Sequence, residues 1–129
     1  MGKMKTTIVF EGNVPSKKNS KQIRRKGKQG FIASSDAYTT WNAGEIQRLR
    51  SLGVQGLLPP YSIYVDVYAV DETRADLSNK FESIADTLVD AGIIEDDNWF
   101  LLDEVQLRFG GVDREDPRIE VEIRSKDEN

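Results

Sequence analysis

The chain has no cysteine and no histidine among its 129 residues. The first absence excludes disulfides, thiolate zinc sites and a cysteine nucleophile. The second removes Ser-His-Asp and Cys-His catalysis and every imidazole metal site. Acid, base or metal chemistry must therefore come from Asp, Glu, Lys or Tyr. Long apolar runs are also missing, and without ~18 consecutive apolar residues no membrane span is expected. The N-terminal MGKMKTTIVFEGNVPSKK lacks the apolar region and small-residue cleavage site of a signal peptide. No Walker A or dinucleotide fingerprint is present, so no nucleotide cofactor is expected, and Gly110-Gly111 reads as a turn.

What remains suits an ordinary globular chain. Hydrophobic content is 38% and charged content 31%. The length predicts one domain over residues 1–129. The net charge of −4 hides a divided distribution. Residues 17–28 hold seven basic side chains and no acidic one, whereas 71–104 hold eleven acidic residues against Arg74 and Lys80. Such a division predicts two surfaces, one for phosphates and one for divalent cations.

Periodicity places the elements. Residues 4–11 read as a strand. Ile23 and the pair Phe31, Ile32 flank the polar KGKQG, which predicts two short strands joined by a basic hairpin tip. Ser34 or Ser35 caps a helix over about 36–52, with Tyr38, Trp41, Ile46, Leu49 and Leu52 on one face and Gly53 at its end. Residues 56–60 read as a loop. In 61–71, Ile63, Val65, Val67 and Ala69 alternate with Tyr64, Asp66, Tyr68 and Val70, as in a strand. A second helix covers about 77–91, with Leu77, Phe81, Ile84 and Leu88 as its stripe and Gly92 as its stop. The alternation in EVQLRFG and RIEVEIRS predicts two strands in an antiparallel hairpin, and the final KDEN reads as frayed. The expected fold is α+β: a mixed sheet with two helices packed against it.

The acidic residues gather around the second helix. Asp76 precedes it, Ser78, Glu82 and Asp86 follow at four-residue intervals, and Glu95-Asp96-Asp97 form a turn behind it. If that turn meets Asp76, converging carboxylates would repel unless a cation lies between them. Oxygen ligands of this kind suit Mg²⁺ or Mn²⁺, which can activate water in phosphoryl transfer. The same pattern also suits a helix cap at Asp76, a solvated face at Glu82, Asp86 and Asp90, and an exposed polar turn. The basic segment has two readings as well: a guard against edge pairing, or contacts to nucleic-acid phosphates.

ADLSNKFESIADTLVDAGIIEDDNW resembles the central motif of RusA-type Holliday junction resolvases in their phage and prophage form. VPSKKNSKQI and GFIASSDAYTTW resemble that family's N-terminal pattern, so the likeness runs from about residue 8 to 112. The resemblance implies a homodimeric, Mg²⁺-dependent endonuclease, with Mn²⁺ as a substitute, that resolves four-way DNA junctions by paired nicks in recombination and repair. It implies a cytoplasmic protein of a bacterial host, encoded by a phage or prophage. Asp76 matches the family's first aspartate, Asn79 its asparagine, and Asp96 and Asp97 its Asp-Asp pair. Ser78 stands where the second aspartate is usual, and Glu82 where the lysine is usual. Glu82 lies one turn from Ser78 and can return a carboxylate to the site. The expected metal set is therefore Asp76, Glu82, Asp96 and Asp97, with Ser78 as a hydroxyl partner. Asp76, Asp97 and Lys80 are the expected catalytic residues, Lys80 restoring the lost positive charge. Lys17, Lys18, Lys21, Arg24, Arg25, Lys26, Lys28 and Arg74 are the expected DNA contacts. The departures at Ser78 and Glu82 also suit a junction-binding dimer that has lost cleavage.

Overall fold

The computed structural model describes residues 3–16, 28–54 and 56–126. Its elements run β1 (Lys3–Glu11), α1 (Lys28–Ser51), β2 (Leu58–Ala69), α2 (Leu77–Asp90), β3 (Leu102–Val112) and β4 (Arg118–Lys126). The sheet order is β1-β4-β2-β3. The β1–β4 and β4–β2 pairs are antiparallel, and β2–β3 is parallel. The expected mixed α+β architecture is present.

Four sequence expectations change. The last two strands are not a hairpin, because β2 lies between β3 and β4. The apolar stripe of α2 is buried only if the helix crosses the sheet, and that crossover delivers β3 parallel to β2. Strand character agrees: Ile119, Val121 and Ile123 of β4 are fully buried, as in a central strand, whereas Val105 and Leu107 of β3 are half-buried, as at an edge. Gly110-Gly111 is not a turn but lies inside β3. Residues 58–60 belong to β2, with a register shift between Leu58 and Ser62. Finally, α1 begins at Lys28, so Phe31 and Ile32 are helical and Ser34 and Ser35 are interior. No proline lies between Pro15 and Pro59, and Gly30 and Gly44 each cost the helix only about 1 kcal/mol. Ile23, the expected partner strand and the tail 127–129 lie outside the described residues.

The two faces of the sheet differ. On one, Ile8 and Phe10 of β1, Ile63, Val65 and Val67 of β2, and Ile119, Val121 and Ile123 of β4 meet Leu49 of α1 and Ile84 and Leu88 of α2. Each such side chain contributes roughly 1.5–3 kcal/mol through burial. α1 lies along β1: the Trp41 ring is 6.0 Å from Phe10, and the Arg48 guanidinium donates to the Val9 carbonyl at 2.9 Å. Leu52 falls in the turn beyond the last helical residue, so helical spacing no longer applies to it and it is exposed. α2 buries Ser83 and Thr87 as well as its apolar stripe. Both are satisfied, Ser83 Oγ donating to Pro15 O at 2.8 Å and Thr87 Oγ1 to Asn42 Oδ1 at 2.6 Å. The other sheet face carries Tyr64, Asp66 and Tyr68 with the even-numbered residues of β4, and among the described residues no helix covers it.

Candidate functional site

The floor of the site follows from where α2 starts. β2 ends at Ala69, and residues 70–76 lead into the helix. Asp76 is the N-cap, with extended backbone (φ −84°, ψ 131°). Its carboxylate makes no capping bond to the helix amides. That disfavours the plain capping role, since a cap is defined by such a bond. Asn79 Nδ2 is 3.5 Å from Asp76 Oδ2, a long contact that leaves most acceptor capacity available. Asp71, by contrast, is spent locally: it accepts from the Thr73 amide at 2.9 Å, and that bond lowers its pKa.

Around Asp76 lies a cleft of about 860 Å³. Gly12, Asn13, Val14 and Ser16 form one wall, the 70–76 segment a second, and the first turn of α2 a third. Lys80 reaches across from α2, donating to Val14 O at 2.6 Å and Asn13 Oδ1 at 3.4 Å. Burial lowers its pKa. Together with Ser83 on Pro15, it pins this wall to the helix. Arg74 lines the cleft, is exposed, and makes no ion pair among the described residues. Ser78 is exposed on the first turn.

The acidic turn behind α2 is positioned by Gly92 and Tyr61. Gly92 has φ +77°, and Ile93 N donates back to Leu88 O at 2.9 Å, which closes the helix. The buried Tyr61 hydroxyl donates to Leu57 O at 2.9 Å and accepts from Glu95 N at 3.2 Å. Within the turn, Asp96 accepts from Asn98 Nδ2 and from Asp97 N, both at 2.9 Å. The Asn98 bond, then the amide, lowers the Asp96 pKa. Asp96 thus builds its own turn. Asp97 behaves oppositely: partial burial, then Asp96, then the charge of Asp86 raise its pKa. Asp86 also faces the Tyr38 hydroxyl, whose pKa is pushed up to about 12 by burial and by Asp86 and Asp90.

The expected metal set is not brought together. Among the described residues, no three acidic side chains are grouped closely enough to hold a metal ion. Glu82 lies six residues into α2 from Asp76, about 9 Å along the axis, and is exposed. Asp96 is turned into the 96–98 turn, and the charge of Asp86 helps raise the Asp97 pKa after burial and Asp96. The described carboxylates therefore do not fit a three-ligand Mg²⁺ site. Of the expected DNA contacts, Arg74 lines the cleft and Lys28 opens α1. Lys17, Lys18, Lys21, Arg24, Arg25 and Lys26 lie outside the described residues.

Sequence reasoning did not single out Asn13 or Phe109 as cleft residues, nor the influence of the Asp86 charge on Asp97. The first two depend on tertiary placement, with no local motif to reveal them. The last had a signal, because Asp86 is four residues beyond Glu82 on the same helix.

Among the described residues, no helix is long and apolar enough to cross a membrane. No protein-family model matches the chain. The chain is similar to the curated crossover junction endodeoxyribonuclease RusA of Aquifex aeolicus (strain VF5), 28% identical over 100 residues. The match covers 76% of this chain and 77% of that protein. With the mixed α+β sheet beneath it, that similarity to RusA bears out the resemblance in the motif.

Proposed function

We propose that the protein is an endodeoxyribonuclease acting on four-way DNA junctions. The observation that carries this reading is Asp76: an uncommitted carboxylate in a cleft beside Arg74 and Lys80, within the segment that resembles the resolvase motif. Similarity to RusA over three quarters of both chains supports it.

The chain's own groups divide the work. Arg74 offers a guanidinium to a backbone phosphate. Lys80 has a third N–H beyond its two contacts and adds positive charge at the same wall. Asp76 orients a water and accepts its proton as the water oxygen bonds to phosphorus; the bond to the sugar oxygen breaks, and that oxygen takes a proton from solvent water to leave as a hydroxyl. The resemblance adds Mg²⁺ to this proposal as the expected cofactor. Paired nicks need two clefts, so the proposal includes a symmetric dimer. It places the protein in the bacterial cytoplasm, with a phage or prophage as the source of its gene.

Ser78 and the ungrouped carboxylates favour a second reading, a junction-binding protein without cleavage. A labelled four-way junction and a linear duplex, each with Mg²⁺ or EDTA, separate the two. Symmetric nicks in the junction alone are the expected result. Tight junction binding without nicks would establish the second reading, and equal affinity for both DNAs would sink both.

A further inference from the structure

The cleft beside Asp76 is not uniformly polar. The helix-covered face of the sheet extends past the first turn of α2, which leaves Val67, Phe109, Val112 and Ile119 as an apolar floor. Val67 and Ile119 are buried, but Phe109 is 54% exposed and Val112 40%. Simple alternation would not put Phe109 and Val112 on one face, since they are three residues apart. The β2–β3 register shift does so: Val67 pairs with Phe109 and Tyr68 with Gly111, so Gly110 is the extra residue. Only glycine fits there, because a Cβ at Gly110 would stand 2.6 Å from the Tyr68 ring. The Arg118 guanidinium, 4.0 Å from that ring's centroid, helps hold Tyr68 in place. Alternation thus presents the exposed Phe109 ring inside the cleft, and the bulge sets Val112 beside it.

We propose that this floor receives an unpaired nucleobase, stacked on Phe109, from the strand whose phosphate lies at Arg74 and Asp76. The inference rests on the junction-nuclease reading and adds a base subsite to it. The chemistry matches one nucleotide unit: an apolar ring surface for the base, Arg74 for the phosphate, and the exposed Asn13 amide among the lining groups. The volume lies within the roughly 300–1,000 Å³ of sites that enclose a small ligand. Bases at a branch point are the least costly to unstack, which would favour junctions over continuous duplex.

The test uses a four-way junction with 2-aminopurine at the exchange point and a linear duplex of the same sequence, in EDTA so that only binding is read. Wild type, Phe109→Ala and Phe109→Tyr are compared. The expected result is a fluorescence rise when wild type binds the junction. Phe109→Ala should lose that rise and ~5- to 100-fold of junction affinity, the range of one base–aromatic stack. Its duplex affinity and melting temperature should hold, and Phe109→Tyr should keep the signal. An unchanged rise and affinity in Phe109→Ala, with the junction still preferred, would overturn the base subsite and leave the junction reading standing. Loss of dimer instead of signal would make Phe109 an interface residue, which also overturns it. No junction preference in wild type would remove the junction reading and the subsite with it.

Discussion

The two faces of the sheet carry charge in different ways. On the open face nearly every charge has a neighbour of opposite sign. Arg108 forms a two-pronged pair with Asp66 at 2.8 and 3.1 Å. Arg118 contacts Asp113, Asp116 and Glu120 and covers the Tyr68 ring. Arg124 pairs with Glu122 at 2.7 Å and lies over Tyr64. On the cleft side, Arg74 and Asp76 make no ion pair among the described residues. Charges that satisfy one another hold a sheet surface in order and offer little to a ligand. Charges left over in a concavity are available for one.

The largest effect expected from this contrast is on catalysis. Asp76→Asn should reduce junction cleavage by about 10²-fold or more, the scale of a lost general base. Its melting temperature should hold, because the exposed carboxylate makes no capping bond; a cleavage assay beside a thermal melt checks both. Arg74→Gln comes next. It should weaken junction binding and reduce the slope of log affinity against log salt by about one. An unchanged slope would take Arg74 off the phosphate path. Arg124→Gln sharpens the comparison from the other side: the melting temperature should fall slightly while junction affinity stays constant, read by calorimetry and a binding titration.

The smallest effect concerns pH. The folded-state pKa of Asp97 lies above its usual value, so the folded protein holds that proton more tightly than the unfolded chain. Its ionisation therefore costs stability, which is absent below the unfolded pKa and grows as pH rises through the folded one. Asp97→Asn should raise the melting temperature slightly at neutral pH and leave it unchanged in strong acid. A variant that melts lower at neutral pH would show that the Asp97 charge is stabilising.

The legible parts of this molecule were those with local patterns. Ile63, Val65 and Val67 alternate as a half-buried strand should, and Ile84 and Leu88 mark the inner face of α2. Gly53 and Gly92 end their helices with φ +75° and +77°. The position of β4 was not legible, because pairing depends on where a crossover helix delivers the next strand. The start of α1 was missed because serine is a helix cap only by preference. In the site, Asp76 and Lys80 were found through the motif, and both line the cleft. The grouping of Asp76 with Glu82 and Asp97 was a tertiary inference, and the described residues do not make it. Phe109 continues the Val105–Leu107 alternation opposite Val67, and the bulge at Gly110 adds Val112 to the same face; that this end of the strand lines the cleft with Asp76 is a tertiary outcome.

The central claim is that the cleft face does the chemistry and the open face does not. Cleavage of one labelled four-way junction in Mg²⁺ by wild type, Asp76→Asn and Asp66→Asn tests it most directly. The account predicts symmetric nicks from wild type and Asp66→Asn, and none from Asp76→Asn. Wild-type cleavage that persists in Asp76→Asn, or disappears in Asp66→Asn from a correctly folded protein, would contradict it.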